Sequence, residues 1–349
     1  FKQKTAYEIG VRLVGSEMCI RDRAILGELD SLIVADHPHA DPETSAAHAC
    51  GHHCQIGMML GAATALTNSD ILDYLSGRLA FMAVPAEEYI EIEYRDGLRR
   101  DGKIEFLGGK PELVRLGEFD DVHLAMMLHT TSNPAEKQMC ISNTNNGTVA
   151  KRIQFIGRAS HAGGAPHLGI NALNAATMAL TAINFNRETF RDEDSIRVHP
   201  IITKGGEAVS AVPADVRMET FVRGRTLEAL MDANTKVDRA LRAGAMAVGA
   251  QVNIQTIPGY MPLQQNKDLA DIFRANAHDL VGEENVGYVD HRGGSTDMGD
   301  ISHLMPVIHP YVGGATGLGH GANYVIEDYG LALICLLYTS PSPRDGLLS

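Results

Sequence analysis

Apolar positions along the chain fall into short runs, and several of these runs stop at residues that carry chemistry. Ala24–Leu32 (AILGELDSL) reads as a buried strand ending in an acidic residue. Gly77–Val84 (GRLAFMAV) is a second apolar run, stopped by Pro85, which cannot continue a central strand. Between them Ile56, Met59, Leu60, Ala63 and Leu66 recur at helical spacing, so the Cys/His-rich stretch before them sits at a helix N-terminus. A third run, Val122–Leu128, delivers His129 at its end. Strand and helix thus alternate as in α/β sheets. From about Gly147 the pattern changes to a strand (Arg152–Gly157), a helix carrying Ile170, Leu173, Thr177 and Leu180, a strand (Val216–Arg223) and a helix from Leu227, which reads as a separate α+β unit. After Pro258-Gly259 the chain returns to helix (Leu269–Leu280) and glycine-rich loops. The expectation is one domain built from 24–147 and 260–334, with a second, 148–259, inserted into it.

A chain of 349 residues is long enough for two cores. The formal charge of -13 argues against nucleic acid or an anionic membrane, since both select basic surfaces. Small molecules are the expected partners. No apolar stretch of membrane-spanning length and no secretory leader is legible, and five cysteines are too sparse for a disulfide framework, so a cytoplasmic setting is expected. The two ends, 1–23 and 335–349, lack a hydrophobic period and resemble translated sequencing-adaptor fragments. They are expected to be foreign to the fold, with part of the native N-terminus missing.

His48-Ala49-Cys50-Gly51-His52-His53 places four possible metal ligands in six residues, with a glycine that permits a tight backbone. Pro85-Ala86-Glu87-Glu88 follows an apolar strand, so two adjacent carboxylates emerge where neighbours point to different sides. One can bind a metal while the other faces substrate. Taken alone, this motif reads equally well as an exposed acidic turn, and His129 reads as a hydrogen-bonded core histidine.

Together the motifs resemble a known family, the amidohydrolase branch of the aminoacylase and carboxypeptidase-type co-catalytic metallopeptidases, which includes hippurate, indole-acetyl-amino-acid and aminobenzoyl-glutamate hydrolases. The stretches that carry it are ELDSL (28–32), HACGH (48–52), PAEE (85–88), the strand ending at His129, GRASHAGGAPHLGINAL (157–173), GGSTDMGDISH (293–303) and HGANY (320–324). The resemblance implies an α/β metallopeptidase catalytic domain with a central mixed sheet and helices on both faces, plus an inserted α+β lid and dimerisation domain. It implies that Cys50, His52, Glu88, His129 and His320 hold two divalent ions, that Glu87 is the general base, and that Asp30 supports the ligands from behind. It also implies that His161 belongs to the lid of a homodimer.

The family usually writes Asp and a small residue where this chain has His53 and Cys54, which leaves metal preference open and makes both extra-ligand candidates. The ligand set suits zinc, with manganese, cobalt or nickel as alternatives. His161, Asn171 and Arg223 are candidates for meeting the substrate carboxylate or oxyanion, the substrate being an N-acyl or N-aroyl amino acid. The alternatives are a dipeptide substrate, or an inactive metal-binding dimeric scaffold. His37, His39, His123, His303 and His309 read as structural histidines, and Asp297 as a helix cap in preference to a support for the metal site.

Overall fold

The computed structural model describes residues 22–68, 72–73 and 77–333. Most of both terminal segments lies outside the described residues. Asp22 and Arg23, assigned on sequence to the N-terminal one, take part in the first sheet: Arg23 opens the strand Arg23–Glu28, and the Asp22 carboxylate accepts from the Arg78 backbone N–H at 2.9 Å.

That sheet has four parallel strands in the order Val307–Ile308, Leu124–Met127, Arg23–Glu28, Leu79–Val84. The pleat sends successive side chains to opposite faces. Ile25, Met126 and Ile308 join a core with the helices His52–Thr67 and Lys267–Val281. Ala24, Leu26, Ala125, Met127 and Val307 join another with Phe119 and with Met298 and Ile301 of the helix Met298–Ser302. Both faces are covered, as parallel sheets require. The mixed pairing lies in a second sheet ordered Leu263–Gln264, Met139–Asn145, Tyr311–Val312, His129–Thr130, with Val286–Arg292 parallel to Met139–Asn145.

Parallel strands place chemistry at their carboxyl ends. Three of the four do so here: Glu28 ends one strand, Glu87 and Glu88 follow Val84, and His129 follows Met127 and Leu128.

The antiparallel sheet Ile201–Lys204, Asp215–Gly224, Gly147–Ile156, Gln251–Pro258 stands apart. Burial alternates along Asp215–Gly224, whose Val216, Met218 and Val222 pack on the helices Ala172–Phe185 and Leu227–Val248. Its other face meets the helix Ile92–Arg100 through the buried Asp96, which accepts from Arg152 at 3.0 Å and Gln255 at 3.1 Å. Among the described residues no helix is long and apolar enough to cross a membrane.

The helix His52–Thr67 forms where the period predicted, but its buried face is shifted. Leu60 is 57% exposed, whereas Cys54, Gln55, Met58, Met59 and Ala62 are buried. The cause is polar: Gln55 donates to the Glu28 carboxylate at 2.8 Å and accepts from the Glu28 N–H at 2.9 Å, which turns the helix in a way apolar spacing does not register.

Candidate metal centre

Gly51 brings the Cys/His cluster against the strand His129–Thr130. Its φ of 93° is in the left-handed region, and a Cβ there would stand 2.1 Å from Thr130 Oγ1, so only glycine fits. Cys50 and His52 therefore flank the point of closest approach. His129 donates from Nδ1 to the Thr130 carbonyl at 2.8 Å, which leaves Nε2 bare, 3.4 Å from Cys50 Sγ. His52 is fixed in the same way: its Nδ1 donates to the Asp30 carbonyl at 3.0 Å, with an Asp30 carboxylate oxygen 3.2 Å away. The other Asp30 carboxylate oxygen accepts from the Glu88 N–H at 2.7 Å, so Asp30 locates two candidate ligands at once.

Three groups of possible ligand atoms, each within 4.8 Å of one another, result among the described residues: Cys50, His52 and His129; Cys50, Glu88 and His320; and Glu28, His52 and Glu87. Cys50 belongs to the first two. His320 has φ 64°, its N–H donates to the Ala49 carbonyl at 2.8 Å, and its Nε2 is 3.4 Å from Glu88 Oε1. Such a conformation in a bulky residue is strained and clusters at functional positions. His52 Nε2 and Glu88 Oε1 are buried without hydrogen-bond partners. Unpartnered buried ligand atoms converging on one thiol suit a cation, because buried polar groups are otherwise satisfied. The residues fit a pair of divalent metal ions.

Electrostatics agree with this. Burial, followed by Glu88, Glu87 and Glu28, pushes the Cys50 thiol up. Burial, followed by Glu28, Glu88 and Asp297, pushes the Glu87 carboxyl well up. Burial holds His129 down at about 3, with His52 adding to it. For His52 burial is outweighed by Glu28 and the Asp30 contact, and its value rises to about 9. Acidic groups that resist ionisation in a buried site are stabilised as anions once a cation is present.

Behind the cluster lies a group that sequence reading passed over. Lys110, fully buried, pairs with Glu28 at 2.5 Å and with Asp297, whose carboxylate also accepts from the Lys110 N–H at 2.9 Å. Asp297 therefore is not a helix cap: it makes no side-chain capping bond and serves Lys110 instead. Tyr260, just beyond the strand Gln251–Pro258, donates its hydroxyl to the Glu87 carbonyl, and Tyr89 donates to the Pro258 carbonyl at 2.5 Å. The loop bearing Glu87 is thereby tied to the end of the antiparallel sheet.

A cavity of about 540 Å³ opens onto Cys50, Glu87, Glu88, His129 and His320. Arg223 and Arg292 also line it. Arg292 is committed to Glu136 and stacks on the Tyr311 ring 3.4 Å from its centroid. Arg223 is half-buried over the Phe221 ring, 5.3 Å from the centroid, and has no ion pair among the described residues. Burial, countered by Glu87 and Glu88, lowers its affinity for its proton, so an anion arriving there would be favoured.

The other expected residues lie elsewhere. His161 is exposed and its Nδ1 accepts from the N–H groups of Gly163 and Gly164 at 3.1 and 2.9 Å. The Asn171 side-chain oxygen caps the helix Ala172–Phe185. His53 stacks 4.9 Å from His48, and Cys54 is buried in the core with its thiol pushed up to about 11 by burial; neither joins a ligand group among the described residues. His309 donates to the Met127 carbonyl at 3.0 Å, His303 bonds the Pro262 carbonyl at 2.9 Å, and His37 bonds the Tyr324 carbonyl at 2.7 Å, all structural contacts.

Compared with known proteins, residues 24–334 match the pattern of peptidase family M20/M25/M40. The Xaa-Arg dipeptidase of Mus musculus is 29% identical over 287 residues, 79% of this chain and 60% of that protein. The indole-3-acetyl-aspartic acid hydrolase of Enterobacter agglomerans is 29% identical over 209 residues, 60% of this chain and 43% of that protein. The chain thus spans about 60% or less of the length of these curated relatives. Among solved structures, a putative aminohydrolase from methicillin-resistant Staphylococcus aureus superposes with a TM-score of 0.68 at 18% identity, covering 91% of this chain and 80% of the other. The Bacillus subtilis YXEP protein, described as a dinuclear metal binding peptidase, superposes with a TM-score of 0.63 at 17% identity, covering 93% and 81%.

Proposed function

Because the chain belongs to peptidase family M20/M25/M40, we propose that it hydrolyses the amide bond of an N-acyl or N-aroyl amino acid at a two-metal centre. The observation that carries this reading is the sharing of Cys50 between two three-ligand groups whose inward atoms on His52 and Glu88 are orphaned. Cys50, His52 and His129 would hold one ion, and Cys50, Glu88 and His320 the other. Zinc suits this thiolate, imidazole and carboxylate set, with manganese, cobalt or nickel as alternatives. Bound there, the ions supply an activated water and polarise the scissile carbonyl.

Glu87 does the proton work. It sits among the ligand groups, and its raised proton affinity brings a carboxylate towards the range in which a base both accepts and returns a proton. It takes a proton from the attacking water and gives one to the departing nitrogen, so the products are a carboxylic acid and a free amino acid. Tyr260 fixes the Glu87 main chain while this happens. Arg223 receives the substrate carboxylate, its lack of an ion pair among the described residues being the supporting feature.

We read the antiparallel sheet and its helices, residues 148–259, as a lid that also forms a homodimer. In that dimer His161, through its outward Nε2, and Asn171 reach the partner's site. A dipeptide is the second substrate reading, favoured by the Xaa-Arg dipeptidase relatives. An inactive metal-binding scaffold is disfavoured because it would have no need for Glu87 beside Glu88.

The test is metal analysis combined with a hydrolysis panel of acyl-aspartate, aroyl-glycine, aroyl-glutamate and Xaa-Arg substrates. Two ions per chain and chelator-sensitive release of the amino acid are expected. Metal binding without any turnover would favour the scaffold, and faster cleavage of Xaa-Arg would favour the dipeptidase.

A further inference from the structure

On the cavity wall next to His129 stands a hydroxyl whose hydrogen is free. Tyr311 opens the strand Tyr311–Val312 in register with His129, and the centroids of the two rings lie 5.6 Å apart. Its side chain lines the cavity shared by Cys50, Glu87 and Glu88. A thread of polar groups that starts at main chain sets the direction of its hydrogen bonding. The His309 N–H donates to Gln265 Oε1 at 2.7 Å, and Gln265 Nε2 donates to the His309 carbonyl at 3.2 Å. Backbone thus fixes which end of that amide is the donor. Gln265 Nε2 also donates to Ser142 Oγ at 2.9 Å, so the Ser142 hydroxyl gives its own hydrogen to Asn145 Oδ1, 3.4 Å away. Asn145 then presents Nδ2, which donates to the Tyr311 hydroxyl oxygen at 3.2 Å. Ser142 and Asn145 are buried, and the thread runs one way. Tyr311 ends it as an acceptor and gives its hydrogen to no group among the described residues. A buried donor left in this way is aimed at something that arrives. Cys50 is among the charges that act on this hydroxyl, whereas those acting on Arg223 are Glu87, Glu88 and Tyr260, so the free O–H belongs to the metal side of the cavity.

We propose that Tyr311 is a further catalytic residue, its hydroxyl donating a hydrogen bond to the carbonyl oxygen of the scissile amide as that oxygen gains negative charge. This rests on the amide-hydrolysis reading above and deepens it. The proton stays on Tyr311 throughout: burial, opposed by Arg292, holds its proton affinity above the ordinary phenol range. The Arg292 guanidinium, 3.4 Å from the ring centroid, polarises the phenol towards a stronger donor without removing that proton. A donor oriented beforehand and aimed where charge develops needs no reorganisation during the reaction. It also comes from the chain's own site, whereas His161 would have to come from a partner. The competing account is that Tyr311 only packs Arg292 and His129. Packing explains the ring, but not a thread of hydrogen bonds that leaves the hydroxyl hydrogen free.

The test compares the metal-loaded full chain with Y311F, which keeps the ring and its stacking and deletes only the hydroxyl, on whichever acyl-amino acid or dipeptide the unaltered chain cleaves. Turnover (kcat) should fall about 10²–10³-fold, the usual cost of one oxyanion donor, with KM changed less than about threefold. Metal content should stay that of the unaltered chain. A phosphinic analogue of the same substrate, tetrahedral and anionic at the scissile position, should lose affinity for Y311F by the factor lost in kcat/KM. A loss carried by KM alone would make the hydroxyl a ground-state contact and overturn the proposal, as would unaltered kcat in Y311F. A crystal structure of the unaltered chain with the analogue decides independently of any variant. Tyr311 Oη about 2.7–3.1 Å from a phosphinate oxygen supports the proposal, and separation from every phosphinate oxygen by more than about 3.5 Å overturns it. Should the unaltered chain cleave no amide at all, the amide-hydrolysis reading falls and this inference with it; cleavage undiminished in Y311F removes this inference alone.

Discussion

Cys50, His52 and His129 are held from behind by backbone: each imidazole gives its Nδ1–H to a carbonyl, and Gly51 wedges the group against Thr130. Glu88 and His320 are held differently. The His320 side chain is 56% exposed on a left-handed backbone, its main-chain bond to Ala49 being the tether, and Glu88 follows the left-handed Ala86. In the inner group His52 is fully buried and both imidazoles are pre-organised, while Cys50 and His129 are half-buried; in the outer group His320 is exposed on the cavity and can yield. Rigidity where an ion must stay, and looseness where a substrate must come and go, is a sensible division within one centre.

The largest expected effect follows from what the two groups share. Cys50→Ala should empty both positions and reduce turnover to background, measured by metal analysis and amino-acid release. Retention of one ion at full occupancy would show that the groups do not depend on a common thiolate. Next comes the split between them. His52→Ala should remove the inner ion and soften the fold, whereas His320→Ala should release only the outer ion and leave the melting temperature of the metal-free protein near that of wild type. Equal losses in the two variants would erase the distinction.

A smaller effect is expected at Asp30, which touches both His52 and the Glu88 N–H. Asp30→Ala should weaken metal binding on the order of 10–100-fold in competition with a chelator, as loss of such supporting partners does. An unchanged affinity would make Asp30 a bystander. Smaller still is the pH dependence. In the metal-free protein His52 holds its proton up to about 9, and the Cys50 thiol is also pushed up, whereas His129 at about 3 is already neutral. Metal must displace the first two protons and not the third, so inner-ion affinity should fall as pH drops below 9, by about tenfold per unit for each proton displaced. Calorimetry in buffers of different ionisation enthalpy reads that proton release directly.

Much of this was legible in the sequence because it is local. Apolar runs ending at Pro85 and His129 gave the strands, and HACGH and PAEE carry their candidate ligands within a few residues. What escaped was long-range and polar. Lys110 lies on the helix Gly109–Leu116, which sequence analysis did not single out, and it is buried between residues 82 and 187 positions away. Asp297 looks like a cap until that lysine is in view. Leu60 was expected inside and points out because Gln55 binds Glu28. The Tyr260 contact to the Glu87 carbonyl spans 173 positions and has no periodic signature. The period-2 rule does place Glu28 on the same side as Asp30, and that signal in ELDSL was available unused.

The central claim is that adjacent glutamates divide the labour, Glu88 holding an ion and Glu87 moving protons. It is tested most directly by measuring metal content and turnover side by side in Glu87→Gln and Glu88→Gln. Glu87→Gln should keep both ions and lose about 10²–10⁴-fold in turnover, the usual contribution of general acid–base catalysis. Glu88→Gln should lose the outer ion. An emptied centre in Glu87→Gln, or full metal content in Glu88→Gln, would contradict the assignment.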